Sequence, residues 1–203
     1  MDRSLIAAAS QDDAAAVLAL LERGAAADAV NENGSTPLMI SSYCGHAAVQ
    51  AALIQGGASV QATNAKGKTA LMFAAGAGRA AAIATLLSNG AEVDAATENG
   101  TTALMSAALG GHVEAVTSLL GRGANIEAAN ENGMTALMAA AFGGHAMVVT
   151  VLLERGAKTE VADKNGMTAV RLAEQKGHTK VVALLAGLKD AENAPLPDED
   201  EDL

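Results

Sequence analysis

"NGMTALMAAAFGGH" (132–145) decides the fold, because the chain says nearly the same thing four more times. The phrase stands at 33–46 as "NGSTPLMISSYCGH", at 66–79 as "KGKTALMFAAGAGR", at 99–112 as "NGTTALMSAALGGH" and at 165–178 as "NGMTAVRLAEQKGH". Gly34, Gly67, Gly100, Gly133 and Gly166 keep a constant step of 33 residues. A period of that length points to stacked small units, each burying one face against the next, rather than to a single globular core.

Each unit can be derived from its residues. "NENG" (31–34), "NAKG", "TENG", "NENG" and "DKNG" put Asn, Asp or once Thr at the first position of a β-turn and Gly at the fourth, the type I preference. Two residues later Thr36, Thr69, Thr102, Thr135 and Thr168 are placed to cap a helix with their hydroxyls, and Pro37 follows the first of them at a position that needs no amide hydrogen. That helix ends near Gly45, Gly78, Gly111, Gly144 and Gly177. A second helix follows with apolar spacing, as in Val116, Leu119 and Leu120, and closes at Gly24, Gly57, Gly90, Gly123 and Gly156, where a left-handed cap suits glycine.

The pattern resembles the ankyrin repeat, whose D-x-x-G-x-T-P-L-H-x-A-A-x-x-G-H opening is matched in register over about residues 3–187. The resemblance implies an all-α ankyrin repeat solenoid of helix-turn-helix units joined by hairpin-like loops. It divides the chain into an N-terminal cap (1–30), repeats at 31–63, 64–96, 97–129 and 130–162 and a C-terminal cap (163–187), followed by an acidic tail (188–203) whose prolines and run of acids make it expected to be disordered. In the first cap Asp12 and Asp13 replace Gly-His; in the last, "AVRLAEQKGHTK" brings in charge, as an end unit with one neighbour requires. The family's "TPLH" histidine, similar in role to a tie between neighbouring units, is replaced by Met39, Met72, Met105, Met138 and Arg171, so a polar ladder becomes an apolar one and local rigidity is expected to fall. The Met stripe reads as packing. At the hairpin position where some family members offer Asn for hydroxylation stand Asp28, Gln61, Asp94, Glu127 and Glu160, so that modification is not expected.

Composition excludes several classes. The net charge of −10 disfavours nucleic acid and anionic lipid as partners, since both need clustered Lys and Arg; the tail alone holds −6 of it. Cys44 is the single cysteine, which fits a reducing compartment, and the start "MDRSLIAAASQDDAAAV" lacks the basic flank and long apolar core of a secretory signal. The expected location is cytoplasmic, or nuclear if the source is eukaryotic. His46, His112, His145 and His178 lie one unit apart, with Arg79 at the fifth such position, so they should not converge on one ion, and no metal or other cofactor is expected. The capping Thr residues, an isolated Cys44 and "GAGR" (76–79) between helices offer neither a nucleophile with its base nor a phosphate loop, so catalysis is not expected.

The free positions of the repeat carry the functional reading. The resemblance implies a concave groove lined by the turn tips and the solvent side of the first helices. Just before the helix-ending glycines stand Tyr43, Gly76, Leu109, Phe142 and Gln175, a column holding two of the three aromatics. Tyr43, Leu109, Phe142 and Met134, with Met167, read as apolar anchors; Asn33, Asn99 and Asn132 at the tips give direction, and Lys66 and Lys68 make the middle unit locally basic. The competing reading is that the column packs against the next unit and meets no partner. The chain is thus expected to be a non-catalytic module, monomeric when free, that binds a protein in its groove. The alternatives are a spacer subunit of a larger assembly or a protein regulator of an enzyme. The tail serves solubility, meets a basic partner, or folds over Lys66 and Lys68.

Overall fold

A computed structural model of the chain describes residues 3–192. Twelve helices alternate between two layers. The first helix of each unit is α1 (Arg3–Ser10), α3 (Pro37–Cys44), α5 (Ala70–Gly76), α7 (Ala103–Leu109), α9 (Ala136–Gly143) and α11 (Ala169–Lys176). The second is α2 (Ala14–Glu22), α4 (Ala47–Gln55), α6 (Ala80–Ser88), α8 (Val113–Gly121), α10 (Ala146–Glu154) and α12 (Thr179–Glu192). First helices pack on first helices and second on second, unit after unit, while the two helices of a unit pack on each other. Among the described residues there is no strand, only isolated antiparallel bridges such as Thr63 with Thr69 that close the hairpin-like loops.

Local chemistry sets each boundary. The turn glycines donate back to the residue three earlier, as Gly133 does to the Asn130 carbonyl at 2.8 Å. The Asn130 side chain also accepts from the amides of Asn132 and Met134, which fixes the turn from inside. Thr36, Thr69, Thr102 and Thr135 accept from the amide three residues on, at 3.3 to 3.4 Å. Thr168 has the same extended backbone without that bond. At α3 the exchange is reciprocal, since the Thr36 amide points at the Met39 sulfur at 3.4 Å, and a thioether is a weak acceptor.

Small residues hold the layers together. Ala74, Ala75, Ala107, Ala108, Ala140 and Ala141 are fully buried and let the first helices approach closely, while Leu38, Leu71, Leu104 and Leu137 fill the space between layers. The Met ladder is buried as well, at Met39, Met72, Met105 and Met138. α12 runs 14 residues where each of the other second helices runs 9, and the reason is visible in sequence: Lys189 stands where Gly24, Gly57, Gly90, Gly123 and Gly156 stop their helices with φ near +86°. The segment read as an acidic tail therefore begins inside a helix, and its residues 193–203 lie outside the described residues.

Candidate functional site

The polar tie between units is present, but other residues make it. The ring Nε2 of His46, His112, His145 and His178 lies 3.3, 3.0, 2.9 and 3.0 Å from the carbonyls of Ser10, Gly76, Leu109 and Phe142, each in the preceding unit. Arg79 donates from Nε to the Tyr43 carbonyl at 3.1 Å, completing the series. A carbonyl can only accept, so each ring carries its proton on Nε2. The helices α4, α6, α8 and α10 take no side-chain cap from His46, Arg79, His112 and His145 before them, because the side chain is turned back across the unit boundary. A ladder made by other side chains thus spans the boundaries at which the "TPLH" histidine is replaced.

A second ladder runs along the loops. The Asp28 carboxylate accepts from the Ser59 amide at 3.0 Å, Gln61 from Glu92 at 3.4 Å, Asp94 from Asn125 at 2.9 Å and Glu127 from Lys158 at 2.8 Å. At the tips, Glu131 and Lys164 donate their amides to the carbonyls of Asn99 and Asn132. These ties hold the tips and the first helices at fixed relative positions, which is what a docking face needs.

The column chosen from sequence is solvent-facing. Tyr43 is 56 % exposed, Leu109 50 % and Phe142 37 %, although their backbone carbonyls are engaged in the ladder. Tyr43 meets the Phe73 ring edge-to-face at 6.5 Å between centroids, and the Lys176 ammonium sits 4.4 Å from the Phe142 centroid. Gly76, between Tyr43 and Leu109 in the column, leaves a notch. A cleft of about 380 Å³ opens there, with Leu109, Met105, Met134 and Ala139 as its apolar lining and Lys68 at its rim. A neighbouring cleft of about 350 Å³ brings together Lys66, Lys68, Glu98 and Asn99.

The structure gathers Lys68, Leu109 and Met134 at one cleft and Lys66, Lys68 and Asn99 at the other, and it leaves Tyr43 and Phe142 on either side. Asn33 and Asn132 are exposed at tips, while Asn99 spends its side-chain oxygen on Thr97 and the Thr101 amide. Met167 is half-buried against the core. Phe73 and Lys176 were missed: each is legible as a residue at a repeat position, but their pairing with Tyr43 and Phe142 crosses unit boundaries. Among the described residues no group of His, Cys, Asp and Glu is placed to hold a metal ion, and no helix is long and apolar enough to cross a membrane.

The sequence profile described as Ankyrin repeats (3 copies) matches residues 4–97, 52–130, 85–163 and 104–195, overlapping from one end of the stack to the other. The chain belongs to the ankyrin repeat family. Ankyrin repeats generally bind protein partners and are typically non-catalytic. No curated protein sequence matches this ankyrin chain.

Proposed function

We propose that the face formed by the turn tips and the ends of the first helices is the docking surface for a protein partner, held by Tyr43, Leu109 and Phe142. The observation that carries this reading is that three of the largest exposed apolar side chains share one column of the repeat. Stacking does not require bulk there, since Gly76 occupies the same column in an intact unit. Large side chains that become buried at the centre of an interface typically cost about 2 kcal/mol or more when truncated. Lys66, Lys68 and the cleft under Met134 add direction and a seat for an apolar side chain of the partner, with Asn33, Asn132 and Met167 at the margins.

The test is affinity capture from the native extract with the chain and with its Tyr43→Ser, Leu109→Ser, Phe142→Ser variant, once both are known to unfold with the same midpoint. A protein retained by the first and released by the second supports the groove. Identical retention by both sinks the reading and assigns the column to spectator surface. A second reading, a subunit held in a larger assembly by its outer helices as well, draws on Met147, which lies on α10 in the outer layer and is 67 % exposed. It requires that Met147→Ser also release partners.

A further inference from the structure

Gly76 interrupts the exposed column of the first helices. α5 presents no side chain there, whereas α3 presents Tyr43 and α7 presents Leu109. The backbone does not demand this glycine, which ends α5 and is not among the left-handed corners. A Cβ added to it would meet only the Ser106 Cβ, at 3.9 Å, an ordinary contact. What the glycine provides is space, the cleft of about 380 Å³ lined by Leu109, Met105, Met134 and Ala139. Polar groups on its walls are engaged elsewhere: the Ser106 hydroxyl donates to the Thr102 carbonyl at 3.0 Å, and the Asn130 side-chain oxygen accepts inside its own turn. The surface left for an occupant is mostly apolar.

The adjoining cleft has the opposite character. Its tip, "NAKGK" (64–68), has Ala65 where three other tips carry Glu32, Glu98 and Glu131, and it has Lys66 and Lys68 where no other unit carries a cation. Two Lys and no acid make this tip +2 in a chain whose net charge is −10. Both side chains are exposed, and neither makes an ion pair with another described residue; Glu98 shares the cleft without pairing with either. Asn99 adds a donor, because its side-chain oxygen accepts from the Thr97 hydroxyl and the Thr101 amide and its NH2 group is left over. Lys68 and Thr101 line both clefts, so the cationic and the apolar half adjoin.

We propose that the break at Gly76 is a two-part seat for one extended segment of a protein partner, which places a carboxylate at Lys66 and Lys68 and a large apolar side chain, Leu, Met or Phe, in the cleft beside them. The proposal rests on the groove reading and narrows it: the column of Tyr43, Leu109 and Phe142 supplies area, and the gap in the column selects the partner. Charge decides the class of occupant. An acidic side chain gains from two ammonium groups that have no other partner, whereas a basic one meets like charge. A free inorganic anion would leave the apolar half empty. Alternate residues of an extended segment face the same side, so the acid and the apolar residue lie within a few positions of each other.

Selection from a random peptide library on the full chain tests it. The parent should enrich segments that pair Asp or Glu with Leu, Met or Phe a few positions away, and one of these, made as a free peptide, is then titrated against variants. Gly76→Leu gives α5 the side chain that α7 already carries, so it should keep the parent's melting midpoint; by filling the seat it should weaken the peptide roughly tenfold or more. Lys66→Gln with Lys68→Gln should weaken it roughly three- to tenfold, the scale of two exposed charge pairs. That difference should vanish in about 1 M salt, where screening acts within about 3 Å. Binding unchanged or tightened by Gly76→Leu overturns the proposal, because a column acting by apolar area alone gains from a further large residue. So do enriched segments without acids, or a Lys pair whose loss changes nothing. No enrichment by the parent also overturns it and turns the seat to a second copy or to the chain's own acidic run. The groove reading fails separately. In the capture experiment, a partner lost by the Tyr43→Ser, Leu109→Ser, Phe142→Ser variant but held by Gly76→Leu keeps the groove and rejects the seat, and a partner held by both rejects the two together.

Discussion

Gly111 has φ +74°, and a Cβ placed on it would lie 2.5 Å from Nδ1 of His145, the ring that reaches back to the Leu109 carbonyl. Two separate requirements meet at that residue, a left-handed backbone and room for the neighbouring ring. Gly123 has only the first, with φ +85° and nothing within 4 Å of the added atom. Gly123→Ala should therefore cost about 1–2 kcal/mol, from the left-handed conformation alone. Gly111→Ala should cost clearly more, because His145 must also leave its carbonyl or push the helices apart. Urea unfolding of the two variants checks this, and equal losses would mean that the ring yields without consequence. Asp12 shows the limit of the rule: it takes the corresponding corner of the first cap with φ +59°, exposed, as a short polar side chain tolerates, and its carboxylate lies 3.6 Å from Nδ1 of His46.

At the scale of elements, the boundary between α3, α4 and α6 contains a polar cluster that the other boundaries lack. Gln50 is fully buried and donates from Nε2 to the Ser42 hydroxyl at 3.1 Å and to the Ala82 carbonyl at 3.3 Å, but its Oε1 has no partner. A buried acceptor without a hydrogen bond costs on the order of 1–3 kcal/mol. The corresponding positions elsewhere are Ile83, Val116 and Val149 for Gln50, and Ala75, Ala108 and Ala141 for Ser42, all buried. Replacing the pair as Ser42→Ala and Gln50→Val, which copies what the protein already has in two other layers and resembles the Ala75 and Ile83 of a third, should raise stability by roughly 1–3 kcal/mol. A lower melting temperature for the double variant would show that the missing partner is supplied by something such as an ordered water. Element starts and stops were legible because they rest on residues with a unique local job: Thr at the caps, Gly at left-handed corners, Asn inside the turns. The ties between units were not, because the His and Arg side chains bond to backbone carbonyls 36 residues earlier, and a carbonyl leaves no trace in sequence. The loop ladder of Asp28, Gln61, Asp94 and Glu127 did leave one, an acid or amide every 33 residues, which a search for modification sites looks at without seeing its structural use.

For the whole molecule, stability is close to a sum over units and their boundaries, so position along the stack governs how a lesion spreads. Leu119 on α8 and Leu185 on α12 are equally buried. Each loses roughly 2–5 kcal/mol of local packing on change to Ala. Leu119→Ala, with units on both sides, should lower the midpoint of the whole transition. Leu185→Ala should instead detach the last unit, seen as a separate early phase in urea and rapid exchange confined to α11 and α12. A single shared transition in both variants would mean that the stack is one cooperative block. The period of 33 made the number and order of units readable, and the exposure of Tyr43, Leu109 and Phe142 could be anticipated because bulk broke a run of small residues. The larger of the two clefts could not, since Lys68 and Gly76 come from one unit, Leu109 from the next and Met134 from the one after.

The carbonyl ladder has one more effect. Tyr43, Leu109 and Phe142 support the stack through an atom that every amino acid possesses, and they meet solvent through the part in which amino acids differ. Their contribution to the framework is thus blind to their identity. Substitution in this column can change what the surface presents to solvent while the joints behind it remain closed, so the exposed face is free to drift at sites where the architecture stays fixed.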